Sequence, residues 1–313
     1  MDHNSDLPVV VFANRKDFFL TKICISSIRF YYPDVEIFLV KDFLNGPFNT
    51  DRFCKVYRVK EIKMGTRYFG WAAAKVHFLL NTSIAKRRYL CIDSDIIFLG
   101  RVLERFRDIN ADFILHPEYT NDEKSQSSKD TYLDIDAIKQ LYPDYYYPGF
   151  YFNTGQTVVT PGLVDHHLLT PGFIPSKYPF YVNRSFFPCA DQSVLNAALP
   201  NLLNTGLKVE VLPFMQWSVF FFQHEKNSKL QAFLDGNFGH LVHYAGDVRV
   251  VNLNKMRGSE LLYFHQNNYR LKLNFIERLL DKLQDQVLSN SFINRLYYIK
   301  NKVYIKYIVK THL

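Results

Sequence analysis

Two acidic side chains one residue apart are the groups in this sequence best suited to chemistry. Asp93 and Asp95 lie between apolar runs at residues 89–92 and 96–99, which are typical of a buried strand and the segment after it. On extended backbone, residues i and i+2 point to the same side, so both carboxylates converge on one point. Like charges beside an apolar core are costly unless a cation lies between them. The pair predicts a divalent-cation site, with a helix cap or solvated turn as the alternative.

The elements that position this pair are predicted from the apolar runs around it. A nearly continuous apolar run at residues 7–13 predicts a strand covered on both faces, then a helix as far as Pro33 and a strand at 35–40. This order predicts a βαβ crossover in a nucleotide-type α/β sheet. Residues 56–59 predict a third strand, and residues 71–80 a helix that leads into the acidic strand.

Four further elements are predicted along the rest of the chain. Polar residues 120–136 predict a mobile loop that acts as a lid. Strands are predicted through residues 148–159 and at 240–249, the latter ending in a turn. Asp191 is the predicted N-cap of a short helix. The spacing of apolar residues then predicts an amphipathic helix with Ile276, Leu279, Leu280, Leu283 and Val287 along one side.

The composition favours a globular protein with an exposed binding surface. The 313 residues are enough for one large α/β domain or two small ones, and they include 28 Phe and 21 Tyr. So many rings predict that some are exposed where a partner binds. A polar N-terminus and the lack of an apolar run of about 18 residues favour a cytoplasmic location. The four scattered cysteines are predicted to be reduced thiols (Cys24, Cys54, Cys91 and Cys189).

Six short motifs follow one another in an order that is itself informative. They are Ala13-Asn14, Lys75, Asp93-Ser94-Asp95, Phe152-Asn153-Thr154-Gly155, Asp191-Gln192 and His243-x-x-Gly246. Over roughly residues 9–250, the sequence resembles the retaining GT-A glycosyltransferases of glycosyltransferase family 8. This family includes glycogenin and the bacterial lipopolysaccharide galactosyl- and glucosyltransferases. The resemblance implies an α/β GT-A fold with a Rossmann-like mixed sheet, to which this chain adds a C-terminal helical extension.

The resemblance implies a metal-dependent donor site. Asp93, Asp95 and His243 would bind Mn²⁺ (or Mg²⁺), which bridges the diphosphate of a nucleotide sugar, usually a UDP-sugar. Two carboxylates and one imidazole suit manganese, and a cation on the diphosphate eases its departure. Asp191 would bond sugar hydroxyls, with Gln192 near the anomeric carbon. The residues implied to bind the donor are Ala13, Asn14, Lys75, Asn153, Gly246 and Arg249.

Each of these residues also has an ordinary structural interpretation. His243 would be a core histidine, Arg249 a surface arginine at a turn, and Asp191 a helix cap. Asn153 would form an Asx turn, and Lys75 would be solvated on its helix. The sequence departs from the family twice. Arg249 stands where Lys is more usual, although its forked donor also suits phosphate. The acidic or Thr-rich turn that commonly follows the first strand is replaced by Asn14-Arg15-Lys16-Asp17.

The basic charge of the chain is concentrated near the C-terminus. The net charge is +8, and no acidic residue follows Asp285, while the last segment contains Arg295, Lys300, Lys302, Lys306 and Lys310. A basic segment rich in rings predicts binding to an anionic membrane surface. The alternative is a set of helices packed on the catalytic domain with lysines outward. No nucleic-acid-binding motif accompanies the charge, so nucleic acid is not a predicted partner.

The sequence therefore predicts a GT-A catalytic domain at residues 1–265 and a basic, aromatic helical extension at 266–313. The predicted function is transfer of a hexose from a UDP-sugar to a glycan or glycolipid acceptor, with retention of configuration. A bacterial surface glycan, such as lipopolysaccharide or capsule, is the predicted acceptor, and the enzyme would be cytoplasmic and peripheral on the inner face of the membrane. Two alternatives stay open: an inverting GT-A transferase that uses another nucleotide sugar, with Asp191 as base, and a non-catalytic nucleotide- or glycan-binding protein on the same scaffold.

Overall fold

A computed structural model describes most of the chain, with backbone alone at residues 308–311. The described residues are 7–70, 72–118, 123–170, 172–181, 185–225, 230–235, 238–246 and 249–311. Trp71, where the second predicted helix begins, lies outside them, as do parts of the predicted lid and of the predicted strand at 240–249. None of the helices in the described ranges is both long enough and apolar enough to cross a bilayer.

The described residues form a mixed α/β fold with two sheets. Seven strands form one mixed sheet in the order β3-β2-β1-β4-β7-β6-β8, and three form a small sheet in the order β5-β10-β9. These strands are β1 (Val9–Asn14), β2 (Ile37–Asp42), β3 (Val59–Glu61), β4 (Tyr89–Asp93), β5 (Ile96–Leu99), β6 (Phe113–Glu118), β7 (Tyr151–Val159), β8 (Val209–Val211), β9 (Met215–Trp217) and β10 (His240–His243). The predicted α/β class and mixed sheet are confirmed.

Helices occupy most of the segments between the strands. They are α1 (Phe18–Tyr31), α2 (Asp51–Tyr57), α3 (Ala73–Leu80), α4 (Gln126–Thr131), α5 (Ile135–Leu141), α6 (Ala190–Asn204), α7 (Ser218–His224), α8 (Leu230–Leu234), α9 (Ser259–Arg270), α10 (Phe275–Leu288) and α11 (Ser291–Thr311). Short 3-10 helices are also present, and they span Arg15–Asp17, Val102–Phe106, His166–Leu169 and Leu253–Lys255.

The chain divides into two compact units. The first comprises residues 1–68, 92–109 and 214–301, and the second comprises residues 69–91, 110–213 and 302–313. In the first unit, α1 packs on β5 and α9 over a buried apolar cluster that includes Ile97, Val242 and Leu261. In the second unit, α6 packs on β7 and α3. The predicted boundary at residue 265 stays a prediction.

The βαβ crossover at the start of the chain is present as predicted. The β1 residues Val9, Val10 and Val11 are fully buried, and β1 pairs with β2 in parallel. A continuous apolar strand suits a position that is covered on both faces. Asn14 ends β1 and accepts a hydrogen bond from the backbone N–H of Lys16, which caps the 3-10 turn before α1.

The third strand predicted at residues 56–59 is present, but it spans Val59–Glu61, and the prediction is wrong for residues 56–58. The helix α2 continues to Tyr57, and Arg58 ends it in the left-handed region (φ 52°), one residue before β3 begins. The Tyr57 hydroxyl donates to Ser26 Oγ at 2.8 Å, and its ring stacks on that of Tyr269. These distant contacts hold the helical conformation against the strand preference of Val and Tyr.

The structureless loop predicted at residues 120–136 is also wrong. The helix α4 and the start of α5 lie within the part of this segment that the structure describes. The Ser125 side chain accepts from the backbone N–H of Ser128, and the Asp134 side chain accepts from that of Asp136. Such caps satisfy the first donors of a helix and stabilise short helices in polar sequence. A role of this segment as a lid stays a prediction.

The predicted amphipathic helix at Ile276 is α10, but its apolar residues point outward. Its buried residues are Asp281, Asp285 and Leu288. Lys22, on α1, forms ion pairs with both carboxylates. Its Nζ lies 2.5 Å from Asp281 Oδ1 and 2.6 Å from Asp285 Oδ1. Arg270 lies 3.5 Å from each of the same carboxylates. Buried charges need such partners, so the ion pairs determine which side of α10 faces the protein.

This buried network predicts a specific dependence of stability on pH. Burial raises the pKa of Asp285 to about 6 from an ordinary value of 3.8, in spite of the nearby Lys22. The folded protein therefore holds this proton at pH values where the unfolded chain has released it. Tighter binding of the proton to Asp285 in the folded state therefore stabilises the protein at pH values below the ordinary pKa, and this stabilisation is lost as pH rises through about 6.

We therefore expect the free energy of unfolding of the wild type, relative to that of Asp285→Asn, to fall as pH rises from about 4 to about 6. Urea denaturation of both proteins at several pH values measures this difference, in which the titration of groups that do not interact with Asp285 cancels. A difference that is flat across this range would contradict the raised pKa.

Candidate active site

The two aspartates of the predicted cation site meet by way of a tight turn. Asp93 is the last residue of β4, Ser94 and Asp95 form the turn, and β5 begins at Ile96. The argument from extended backbone is therefore wrong, although the predicted convergence is present. Nε2 of His243 lies 3.3 Å from Asp95 Oδ1 and 3.9 Å from Asp93 Oδ2. The turn at Ser94 and Asp95, rather than strand alternation, brings both carboxylates to one point.

The pairing of β10 with β5 brings His243 to this turn. The two strands are antiparallel, with His243 opposite Ile96, and the backbone N–H of Tyr244 donates to the Asp95 carbonyl at 3.0 Å. The strand predicted at 240–249 therefore ends at His243. The ring of Trp217, on the neighbouring strand β9, stacks on the imidazole at 5.2 Å with an interplanar angle of 13°. This stacking restricts the plane of the imidazole.

These three side chains form a group suited to a divalent cation. One ligand atom from each of Asp93, Asp95 and His243 lies within 4.8 Å of the other two. The side chains of Asp95 and His243 are 5% and 3% exposed, and that of Asp93 is 29% exposed, so the group is open on one side. Among the described residues, Nδ1 of His243 has no hydrogen-bond partner, while Nε2 faces the carboxylates. The donor set therefore fits Mn²⁺ or Mg²⁺.

Arg249 reaches the Asp95 carboxylate from the segment after β10. Its Nη1 lies 3.1 Å from Asp95 Oδ2 and 3.5 Å from Asp17 Oδ2, and the side chain is 34% exposed. Burial alone would raise the pKa of Asp95, but His243 and Arg249 more than offset this and hold it well below its usual range. Burial lowers the pKa of Arg249, and the surrounding carboxylates, Asp95 first, raise it above its ordinary value. The arginine is therefore a fixed cation at the site.

The remaining predicted residues of the first unit lie at strand ends or turns. Ala13 is buried near the end of β1, and Asn14 Nδ2 donates to Asp17 Oδ2 at 3.1 Å. Through Asp17, the first strand is therefore connected to Arg249. Gly246 has a φ of 78°, which is in the left-handed region that favours glycine. A Cβ atom at Gly246 would meet nothing within 4 Å, so backbone conformation and not crowding requires this glycine.

The predicted sugar-binding residues form a second cluster, in the second unit. Asp191 does not cap a helix, contrary to the prediction, because Cys189 holds the N-cap position and Asp191 lies in the first turn of α6. Its Oδ2 accepts from the Thr154 hydroxyl at 2.7 Å and lies 3.2 Å from Lys75 Nζ. Lys75 also donates to the Thr154 carbonyl at 3.1 Å. The side chains of Lys75 and Asp191 are about one-tenth exposed, so Lys75 is not a solvated surface residue.

Asn153 and Gln192 form the other half of this second cluster. Asn153 Nδ2 donates to Gln192 Oε1 at 2.9 Å, and Gln192 Nε2 donates to the Thr131 carbonyl at 2.9 Å. Asn153 Oδ1 also accepts from the backbone N–H of Gly155 at 2.7 Å, which is the Asx-type bond that the sequence left open. These three bonds fix amide groups that are otherwise free to rotate. The Asx interpretation and a role in binding are therefore compatible.

Two residues of the first cluster could not be recognised in the sequence. Asp17 belongs to a polar turn and gives no sign that it contacts Arg249, 232 positions later. Trp217 lies on a three-residue strand without a motif, and only the register of β9 beside β10 places it against His243. A prediction of strand pairing would have been needed to find the Trp217 contact. The contact of Asp17 joins a 3-10 turn to the segment after β10, so it depends on the tertiary structure.

No family model and no curated protein sequence matches the chain. Solved structures match its fold. The bifunctional glycosyltransferase WbbM has a TM-score of 0.52 and 15% identity, over 89% of this chain and 52% of that protein. This chain therefore spans about half the length of WbbM. The galactosyltransferase LgtC, solved with donor and acceptor sugar analogues, has a TM-score of 0.50 and 14% identity, over 85% of this chain and 100% of that protein.

The chain has a GT-A glycosyltransferase fold. The apo structure of the glycosyltransferase GlyE from Streptococcus pneumoniae TIGR4 agrees, with a TM-score of 0.50 and 14% identity over 90% of this chain and 64% of that protein. The GT-A fold predicted from the motifs is confirmed by these similarities. Identities this low show the fold alone, so membership of glycosyltransferase family 8 stays a prediction.

Proposed function

We propose that this GT-A protein is a metal-dependent glycosyltransferase that moves a hexose from a UDP-sugar to a glycan acceptor. The observation that carries the proposal is the convergence of Asp93, Asp95 and His243 beside Arg249. Two carboxylates, one imidazole and a fixed guanidinium are the groups needed to hold a cation and a diphosphate together. LgtC, which shares the fold, is a galactosyltransferase solved with donor and acceptor sugar analogues, and this supports transfer of a sugar from a donor to a sugar acceptor.

In this proposal, Asp93, Asp95 and His243 hold Mn²⁺ or Mg²⁺, which supplies charge neutralisation for the departing diphosphate. Arg249 donates hydrogen bonds to the phosphate oxygens, where negative charge grows as the sugar bond breaks. Asp17 accepts from Arg249 and Asn14 and so orients both side chains. Gly246 allows the backbone to approach the phosphates in a conformation that other residues rarely adopt.

The sugar is assigned to the residues of the second cluster. Asp191 accepts hydrogen bonds from sugar hydroxyls, and its charge is balanced by Lys75. Gln192 presents its amide to the anomeric carbon region, and Asn153 holds that amide in one orientation. Retention of configuration is carried over from the family resemblance. The acceptor is proposed to be a bacterial surface glycan, and the basic tail at residues 290–313 is proposed to associate with an anionic membrane.

A donor screen tests this function. The purified protein is incubated with Mn²⁺ and a set of UDP-hexoses, with and without oligosaccharide acceptors, and released UDP is measured. We expect release that EDTA abolishes and added Mn²⁺ restores, because the cation neutralises the leaving group. NMR of the anomeric proton of the product reads the stereochemistry, and an inverted product would favour an inverting transferase. Binding of UDP without release from any donor would overturn the enzyme in favour of a binding protein.

A further inference from the structure

Most of the large apolar side chains that are exposed among the described residues lie from Leu271 through α10 and the first half of α11. Between residues 271 and 299, ten large apolar side chains are exposed, and Phe275 is the most exposed of them at 82%. We call these ten side chains the apolar ridge. They are Leu271, Phe275, Ile276, Leu279, Leu280, Leu283, Val287, Phe292, Leu296 and Ile299. An exposed apolar patch of this extent marks a surface that binds something.

The ridge is exposed because α10 is held by its polar side. Asp281 and Asp285 lie one turn apart on the face opposite the ridge, and their side chains are only 2% and 1% exposed. Both are paired with Lys22, which is itself 4% exposed, and with Arg270. The helix therefore buries two acids and leaves Leu279, Leu280 and Leu283 exposed to water. Buried ion pairs of this kind specify an orientation better than they add stability, so the outward direction of the ridge is built into the fold.

The exposed charges of residues 271–300, the segment that carries the ridge, are nearly all positive. All five Lys and Arg residues between positions 271 and 300 are exposed, namely Lys272, Arg278, Lys282, Arg295 and Lys300. Of the three acidic residues in this range, two are the buried aspartates. The third, Glu277, is partly buried and is engaged in the capping box with Asn274 at the start of α10. Residues 271–300 thus offer apolar side chains and cations, with almost no exposed negative charge of their own.

We propose that the apolar ridge is a docking surface for an anionic lipid bilayer. An amphipathic helix that lies in the plane of a membrane buries its apolar face at the boundary of headgroups and acyl chains, with cations against anionic headgroups. A second copy of the chain is a poorer occupant, because it would set five exposed cations against five others. The proposal deepens the membrane association assigned above to residues 290–313, by placing its centre on α10. It does not depend on sugar transfer.

The test removes apolar area without changing charge. Leu279→Gln/Leu283→Gln replaces two ridge leucines, and Phe220→Gln is the matched control, because Phe220 is 56% exposed and lies outside the ridge on α7. Co-sedimentation is measured with phosphatidylglycerol-rich vesicles and with phosphatidylcholine vesicles. We expect the wild type and the control to bind the anionic vesicles, and the double variant to bind them about tenfold or more weakly. Added salt should weaken binding of the wild type to the anionic vesicles, and Lys282→Gln should weaken it relative to the wild type.

Three outcomes would overturn the proposal. They are a wild type that does not bind anionic vesicles, a double variant that binds them as well as the wild type, and a wild-type dimer that the double variant converts to monomer in light scattering. The last would assign the ridge to a second copy. Circular dichroism and UDP release are measured on the same preparations. Loss of vesicle binding with intact UDP release is the expected pattern, whereas vesicle binding without any UDP release would overturn the transferase alone.

Discussion

Replacement of Asp95 by asparagine is expected to abolish metal-dependent turnover while leaving the protein folded. The substitution keeps the shape of the side chain but removes the buried charge that faces His243 at 3.3 Å and Arg249 at 3.1 Å. We expect kcat/KM to fall by about 10³-fold, as when a group that stabilises transition-state charge is lost. Isothermal titration calorimetry with Mn²⁺ should show a matching loss of affinity, so the cause can be assigned to the cation and not to the sugar.

Asp34→Asn is the matched control for this experiment, because it removes the charge of a surface aspartate whose side chain is 79% exposed. Its activity and its affinity for Mn²⁺ should equal those of the wild type. An Asp95→Asn variant that kept wild-type turnover would show that the aspartates, His243 and Arg249 form a structural cluster. The metal-dependent function would then have to be abandoned.

Replacement of Lys22 by methionine is expected to cost the protein about 3–5 kcal/mol of unfolding free energy, which is the range for breaking a buried ion pair from one side. Methionine is similar in length but cannot neutralise Asp281 and Asp285, which would remain buried with Arg270 as their cation. Urea denaturation monitored by circular dichroism measures the loss. The unfolding midpoint should fall without a change in the slope of the transition.

Lys60→Met provides the comparison for Lys22→Met. Lys60 pairs with Glu36 at 2.7 Å, nearly the same separation, but its side chain is 66% exposed. An exposed pair contributes about 0–1 kcal/mol, so this variant should be close to the wild type. Adding Asp281→Asn and Asp285→Asn to Lys22→Met should restore part of the lost stability. Equal effects of the two lysine substitutions would mean that burial does not strengthen the Lys22 pairs.

The case of α10 shows how much of this fold the sequence could predict. Its apolar spacing correctly indicated an amphipathic helix, because periodicity reports that two faces differ. Which face turns inward depends on Lys22, which lies 259 positions before Asp281, and no local pattern contains that information. The strand at β1 was easier, because a continuous apolar run has no alternative face to expose. Residues 56–58 failed for the same reason as α10, since Tyr57 is held by Ser26 and Tyr269.

The candidate site, too, could be predicted from the sequence only in part. The motif order indicated Asp93, Asp95 and His243, and the structure brings their ligand atoms together. The geometric reason was wrong, because Asp95 lies in a turn and not on an extended strand. Asp17 was missed because its importance comes from Arg249, which approaches it through the fold. Chemistry that depends on residue type is therefore visible in the sequence, and chemistry that depends on a neighbour is visible only in three dimensions.

The position of Trp217 gives the protein an optical probe of the proposed cation site. The chain contains two tryptophans, Trp71 and Trp217, and the second stacks directly on the imidazole of His243. Mn²⁺ is paramagnetic and we expect it to quench the emission of a nearby indole, whereas Mg²⁺ is diamagnetic. Each ion is therefore titrated while the intrinsic fluorescence is measured. A change with Mn²⁺ alone reports occupancy of the site by the ion, and a change with both ions reports movement of the Trp217 ring. A Trp71→Phe background would assign the signal to Trp217, so that the order in which cation and nucleotide bind can be followed without any label.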